Sequence, residues 1–165
     1  MGRFLQGWAI ATAVILAVVT ASGFLAPRHA PSGLHVLAGY VGTLAALFSH
    51  AISMFYFIGT GSAVKGAAKQ QAERGNRSLV PLWEETKRIK NVLFPLLMLS
   101  MLALMGASIA GAGALTGALP IWIHLALELG AVPLNLFALL RTAGLIEQNM
   151  VLLAAADDLL ARAGE

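Results

Sequence analysis

The chain has 165 residues, no cysteine, a formal net charge of +3, and 12% charged against 58% hydrophobic residues; its mean hydropathy is +0.78. A soluble domain carries about 25% charged and about 45–50% apolar residues, so this chain lacks the polar surface of a water-soluble globule, and it is too apolar to stay disordered. Without cysteine it has no disulfide framework, no CxxC redox site and no thiolate metal site.

The first predicted element is a membrane span over 4–26. Residues 4–27 hold no Lys, Arg, Asp or Glu, and a spanning helix needs about 20 mostly apolar residues. Arg3, the apolar run and Ala21-Ser22-Gly23 resemble a secretory signal peptide. The run is longer than such a segment needs, and Ala9, Ala13, Ala17 and Ala21 form a small-residue stripe suited to close helix packing. A retained helix is the expectation. Arg28 and His29 follow in a short loop, and His29 is read as a surface residue.

The second span is predicted over 35–61, inside a stretch without Lys, Arg, Asp or Glu that runs from 29 to 64. It ends on Gly59-Thr60-Gly61, just before a basic loop at 62–89. Lys65–Arg74 can prolong the helix, and Gly75-Asn76 breaks it, because both residues tolerate left-handed backbone. Pro81, with Glu84 and Glu85, marks the first turn of the next helix. The third span is predicted over 90–114, with Pro95 as a kink. Gly106, Ala110 and Ala114 form one small-residue row, and Ala103, Ala107 and Gly111 another. Met98, Met101 and Met105 are expected to fill gaps between packed helices. A Gly-rich turn at Gly111–Pro120 leads to a fourth span over 119–143. Beyond Arg141 an amphipathic helix is expected over 144–162, with Leu and Ile recurring every seventh residue.

The expected architecture is therefore all-α: an integral membrane four-helix bundle, one domain over 1–165. Ten of the 11 Lys and Arg residues fall on one side if both termini are cytoplasmic; Arg28 is the exception. The positive-inside bias then orients the chain as a multi-pass protein of a bacterial inner (plasma) membrane. Trp8 and Trp83 fall near the cytoplasmic interface and Trp122 near the outer one, as belt residues do. The expected surroundings are the lipid bilayer and a second copy or a partner membrane subunit. Nothing points to nucleic acid.

Ionisable residues inside spans are functional candidates by default. Here they are His35, His50, His124 and Glu128, with Asn135 as a buried amide. At 100° per residue, His124, Glu128, Ala131, Asn135, Ala138 and Thr142 share one stripe of the fourth helix. His35, Gly39, Gly42, Ala46, Ser49, His50, Ser53 and Phe57 share one stripe of the second. Both stripes are small or polar and should face the bundle interior. The two helices run parallel, and with Leu34 level with Leu119, Asn135 comes level with His50. At about 1.5 Å per residue, His35 and His124 differ in depth by roughly 6 Å, and His50 and His124 by roughly 16 Å.

Three chemistries fit these residues. A b-type haem near the outer leaflet would use His35 and His124, with His50 reaching only under strong helix tilt. A transition metal ion would use His124 and Glu128, one turn apart, with His35 as third ligand. A proton or cation path would descend through Glu128, His50 and Asn135, with the carbonyl of Leu129 freed by Pro133. A small redox-type subunit leads this reading. The alternatives are an assembly scaffold in which these groups are internal hydrogen-bond glue, and a transporter subunit. The chain has no GxGxxG, Walker, HExxH, GxSxG or CxxCH motif, so no soluble catalytic site is expected.

Overall fold

The structure, a computed structural model, describes residues 1–25 and 33–164. Arg28 and His29 lie outside the described residues. The described chain forms four helices: α1 (Gly2–Leu25), α2 (Gly33–Glu73), α3 (Val80–Leu115) and α4 (Ile121–Gly164). Each is long and apolar enough to cross a membrane. Large apolar side chains cover their outer faces, among them Leu34, Phe55, Ile109, Trp122 and Leu129. A soluble bundle would hide such groups; a bilayer accepts them.

The helices stand in cyclic order. α1 packs on α2 and α4, α3 packs on the same two, and α2 and α4 meet across the middle. Contacts between particular residues fix the directions. Gly23 meets His35 and Gly2 meets Tyr56, so α1 and α2 are antiparallel. Thr43 bonds Ser108 and Gly61 meets Lys90, so α2 and α3 are antiparallel. His50 bonds Asn135 and Asn149 bonds Thr60, so α2 and α4 run parallel, in the expected register.

Each helix outruns the span predicted for it at one or both ends. α2 continues through Lys65 and Lys69 to Glu73 and closes in a Schellman motif. Asn76 N–H bonds the Gln71 carbonyl at 2.9 Å and Gly75 N–H bonds Ala72 at 3.0 Å. Gly75 takes φ +82°, a conformation that costs a residue with a Cβ. α3 begins at Val80 with Pro81 in its first turn, where the missing N–H has no partner to lose. The turn before α4 occupies Thr116–Pro120, around Gly117 at φ +76°. Gly111 and Gly113 belong to α3, so the turn is shorter than the Gly-rich stretch suggests.

Two packing expectations are corrected. The alanine stripe of α1 does not stay at the interface. Ala9 and Ala13 are buried, whereas Ala17 and Ala21 are exposed. Steps of four advance 400°, so such a row drifts about 40° per step from a straight face. The buried face instead follows Leu5, Ala9, Thr12, Ala13 and Leu16. Nor do all the α3 methionines fill gaps: Met98 and Met105 are exposed, whereas Met101 is half-buried. The interior face of α3 is Leu93, Leu97, Ser100, Leu104, Ala107 and Ala110.

At the end rich in Lys and Arg the bundle thins to three helices. α1 starts at Gly2, against Met150 and Tyr56. Beyond it, Ala68 of α2, Leu79 and Trp83 around the start of α3, and Ala156, Leu159 and Leu160 of α4 close a separate apolar cluster.

Candidate functional site

The polar residues of the interior lie at three levels. α4 sets the spacing: Glu128, Asn135, Thr142 and Asn149 recur every seventh residue, close to two helical turns. The last three are buried and Glu128 is half-buried.

At the end away from the basic cluster stand His35, His124 and Glu128, each half-buried. His124 leans onto α3. Its ring lies over Gly111, where an added Cβ would come within 2.9 Å of Cε1. Its Nδ1 is 3.1 Å from the Ala107 carbonyl oxygen. A carbonyl only accepts, so Nδ1 carries the proton, and in the neutral ring Nε2 holds the lone pair. His35 leans the other way, onto α1, with Cε1 2.5 Å from where a Cβ on Gly23 would sit. Glu128 lies one turn beyond His124, and both imidazoles lie in its electrostatic surroundings. The predicted trio is therefore at one end of the bundle, but its two rings are seated on different neighbouring helices. Among the described residues no group of three His, Cys, Asp or Glu side chains is placed to hold a metal ion.

The middle level is closed. His50 and Asn135 are both 0% exposed, and His50 Nε2 lies 2.9 Å from Asn135 Oδ1. The Asn135 amide nitrogen donates to the Ser100 carbonyl at 3.0 Å and to the Ala131 carbonyl at 2.9 Å. Both N–H groups are thereby used, which fixes which end of the amide faces His50. Because Oδ1 only accepts, His50 Nε2 must donate. In the neutral ring Nδ1 is then the bare nitrogen. That Nδ1 is buried and has no hydrogen-bond partner among the described residues.

Two buried polar atoms near this level share the condition, the Trp8 indole N–H and the Ser49 hydroxyl. The α1–α2 register set by Gly23–His35 and Gly2–Tyr56 brings Trp8 level with Ser49 and His50. The Trp8 ring meets the Phe48 ring edge-on, at 6.2 Å between centroids. One donor, one hydroxyl and one bare imidazole nitrogen thus occupy a single level of the bundle.

At the basic end Asn149 donates to Thr60 Oγ1 at 3.1 Å. The Tyr56 hydroxyl nearby is buried without a hydrogen-bond partner among the described residues. Glu85 bonds Arg88 through both carboxylate oxygens and accepts from Gln148 at 2.9 Å. Arg88 holds the Glu85 carboxyl below the usual carboxylate range, chiefly by hydrogen bonding.

The sequence reading misses Ser100, Trp8 and the Thr60–Asn149 pair as parts of this interior. Asn149 was open to detection, since it continues the every-seventh series of Glu128, Asn135 and Thr142. Ser100 was not, because it contributes a backbone carbonyl that no side-chain pattern reveals. Compared with family models, curated proteins and solved structures, the chain matches none.

Proposed function

We propose that this chain is a proton-handling membrane subunit, with Glu128 as the exchanging group at the non-basic end and His50 as the acceptor at mid-depth. One observation carries the reading. His50 is wholly buried, its Nε2–H is committed to Asn135, and its Nδ1 has no hydrogen-bond partner among the described residues. A buried imidazole used only as packing glue would be expected to satisfy both nitrogens. The Trp8 N–H and Ser49 hydroxyl at the same level supply the donors that a single relay water needs. Among the described residues no carboxylate pairs with His50. Proteoliposomes carrying a pH-sensitive dye and an imposed potassium potential test the reading. Wild-type protein should admit protons, and Glu128→Gln and His50→Gln should each stop the flux. Flux at the lipid-only background in wild type, or unchanged in both variants, overturns it.

A second reading keeps the redox role, with a b-type haem or metal ion near the leaflet on the Glu128 side. It is favoured by one feature, the Ala107 carbonyl that orients His124 through Nδ1 and leaves Nε2 free to ligate. Use of His35 as partner would require that ring to leave Gly23. A visible spectrum of the purified protein, with and without dithionite, decides it: no Soret band and no metal by elemental analysis reject this reading. The all-helical architecture is common to both. Cytoplasmic termini and an inner-membrane location are part of the proposal, supported by the cluster of Lys and Arg at one end.

A further inference from the structure

Gly61 seats Lys90, and Lys90 also lines a notch on α3 with Pro95; the proton path uses neither. Lys90 of α3 lies across α2 at Gly61: an added Cβ there would stand 3.2 Å from its Nζ, 3.3 Å from Cε and 3.6 Å from Cδ. The glycine lets the lysine stem lie flat against the neighbouring helix. Lys90 is half-buried and takes part in neither of the two ion pairs found among the described residues, Lys87–Glu84 and Arg88–Glu85. It is also the last charged residue before α3 enters its long apolar stretch, 91–115.

The second component is a backbone group. Pro95 lies inside α3 and has no N–H to give to the carbonyl of Asn91. That carbonyl is one turn from Pro95 and adjacent to Lys90. Lys90, Asn91, Phe94 and Pro95 line an open groove of about 410 Å³. The groove therefore combines a cation that has no carboxylate partner among the described residues, an acceptor released from the helix ladder, and an apolar floor of Phe94 and Pro95. It sits where the charged and apolar parts of α3 meet.

We propose that this notch binds the headgroup of an anionic phospholipid from the leaflet on the basic side. The Lys90 ammonium meets the phosphate, the Asn91 carbonyl accepts from a headgroup hydroxyl, and the start of an acyl chain runs along Phe94 and Pro95. Charge complementarity selects an anionic lipid over a zwitterionic one, and the freed carbonyl favours a headgroup that can donate, as the glycerol of phosphatidylglycerol does. The Gly59-Thr60-Gly61 ending of the second span gains a purpose here, since its last glycine seats the lysine.

Native mass spectrometry of the full chain in mild detergent, titrated with phosphatidylglycerol or phosphatidylcholine, tests the site. Wild type should retain phosphatidylglycerol in preference to phosphatidylcholine. Lys90→Gln should weaken retention about fivefold, the usual worth of one lysine near an anionic headgroup. Lys90→Arg should keep it, and Lys65→Gln, which removes an exposed lysine one turn along α2 from Gly61, should leave it unchanged. Equal retention of the two lipids overturns the proposal, as does Lys90→Gln binding like wild type. Millimolar inorganic phosphate displacing the lipid as a simple competitor would assign the notch to free phosphate and overturn the lipid assignment.

Discussion

The middle of the bundle and its non-basic end hold similar residues in opposite ways. At the middle, His50 is sealed by three neighbours: Asn135 fixes its tautomer, and Ser100 and Ala131 fix Asn135. At the end, His124 has one bond, to a backbone carbonyl, and the flat surface of a glycine. The first arrangement spends polar groups on each other and leaves a single base, Nδ1, out of reach of bulk water. The second leaves a half-buried ring and a half-buried carboxylate open to exchange. Burial rather than residue type separates a locked histidine from an adaptable one. A path for protons needs both, a fixed acceptor inside and an exchanging group at the mouth.

The largest expected effect breaks the middle. Asn135→Ala strands the His50 Nε2–H in an interior closed to bulk water, while the Ser100 carbonyl keeps its partner in the α3 ladder. An unsatisfied buried donor or acceptor costs about 1–3 kcal/mol, so a loss of about 2–3 kcal/mol is expected. Unfolding in mixed micelles of mild detergent and dodecyl sulfate measures it. His124→Ala removes one bond from a half-exposed ring and should lose about 1 kcal/mol in the same assay. If the two losses are equal, the contrast between the levels is wrong.

A smaller effect sharpens the contrast at the end. Gly111→Val puts a branched side chain where the His124 ring lies. The obstructing atoms are the far side of an imidazole, which can swing, so the cost should stay at about 1–2 kcal/mol. The diagnostic readout is the ring rather than the stability. In a histidine-labelled nitrogen spectrum, the His124 Nδ1–H signal should lose its hydrogen-bonded shift while the His50 signals stay in place. Glu128→Gln should change unfolding by no more than about 0.5 kcal/mol, because among the described residues no hydrogen bond of that carboxylate holds the fold. The same substitution is expected to stop proton flux. A large stability loss without a flux change would make Glu128 a structural residue.

Much of this arrangement was legible in the sequence, for physical reasons that particular residues illustrate. Gaps in the charge pattern revealed four helices because a charge inside a span is expensive. The level pairing of His50 with Asn135 was legible because parallel helices share one rise per residue, and polar residues must find one another in an apolar interior. What was not legible depended on lateral direction. His35 and His124 were read as facing across the bundle, but each leans onto a different side helix, at Gly23 and Gly111. Side-chain tilt of that kind follows from which neighbour lacks a Cβ, and two helices considered alone do not reveal it. The exposed Met98 and Met105 have a similar cause. Their composition suits a core, but the face is chosen by Ser100, Leu104 and Ala107 on the opposite side of α3.

The smallest expected effect comes from the basic end, where a charged pair faces water and neither kind of histidine is present. Arg88 holds the Glu85 carboxyl below the usual carboxylate range, first through its hydrogen bonds and then through its charge. A carboxyl whose value is lower folded than unfolded contributes stability that is present above the unfolded value. That contribution is lost as pH falls through the folded value. Glu85→Gln should therefore unfold slightly earlier than wild type at neutral pH, and the gap should close as the pH is taken down through the carboxylate range. Added salt should shrink the gap as well, since the Arg88 guanidinium is exposed and its charge is screened. The Asn135→Ala loss should respond to neither condition, because no charged pair is involved and no mobile salt ion reaches a site closed to bulk water. A salt-sensitive Asn135→Ala loss would mean that the middle level is open to bulk solution, and the distinction between a sealed middle and open ends would fail there.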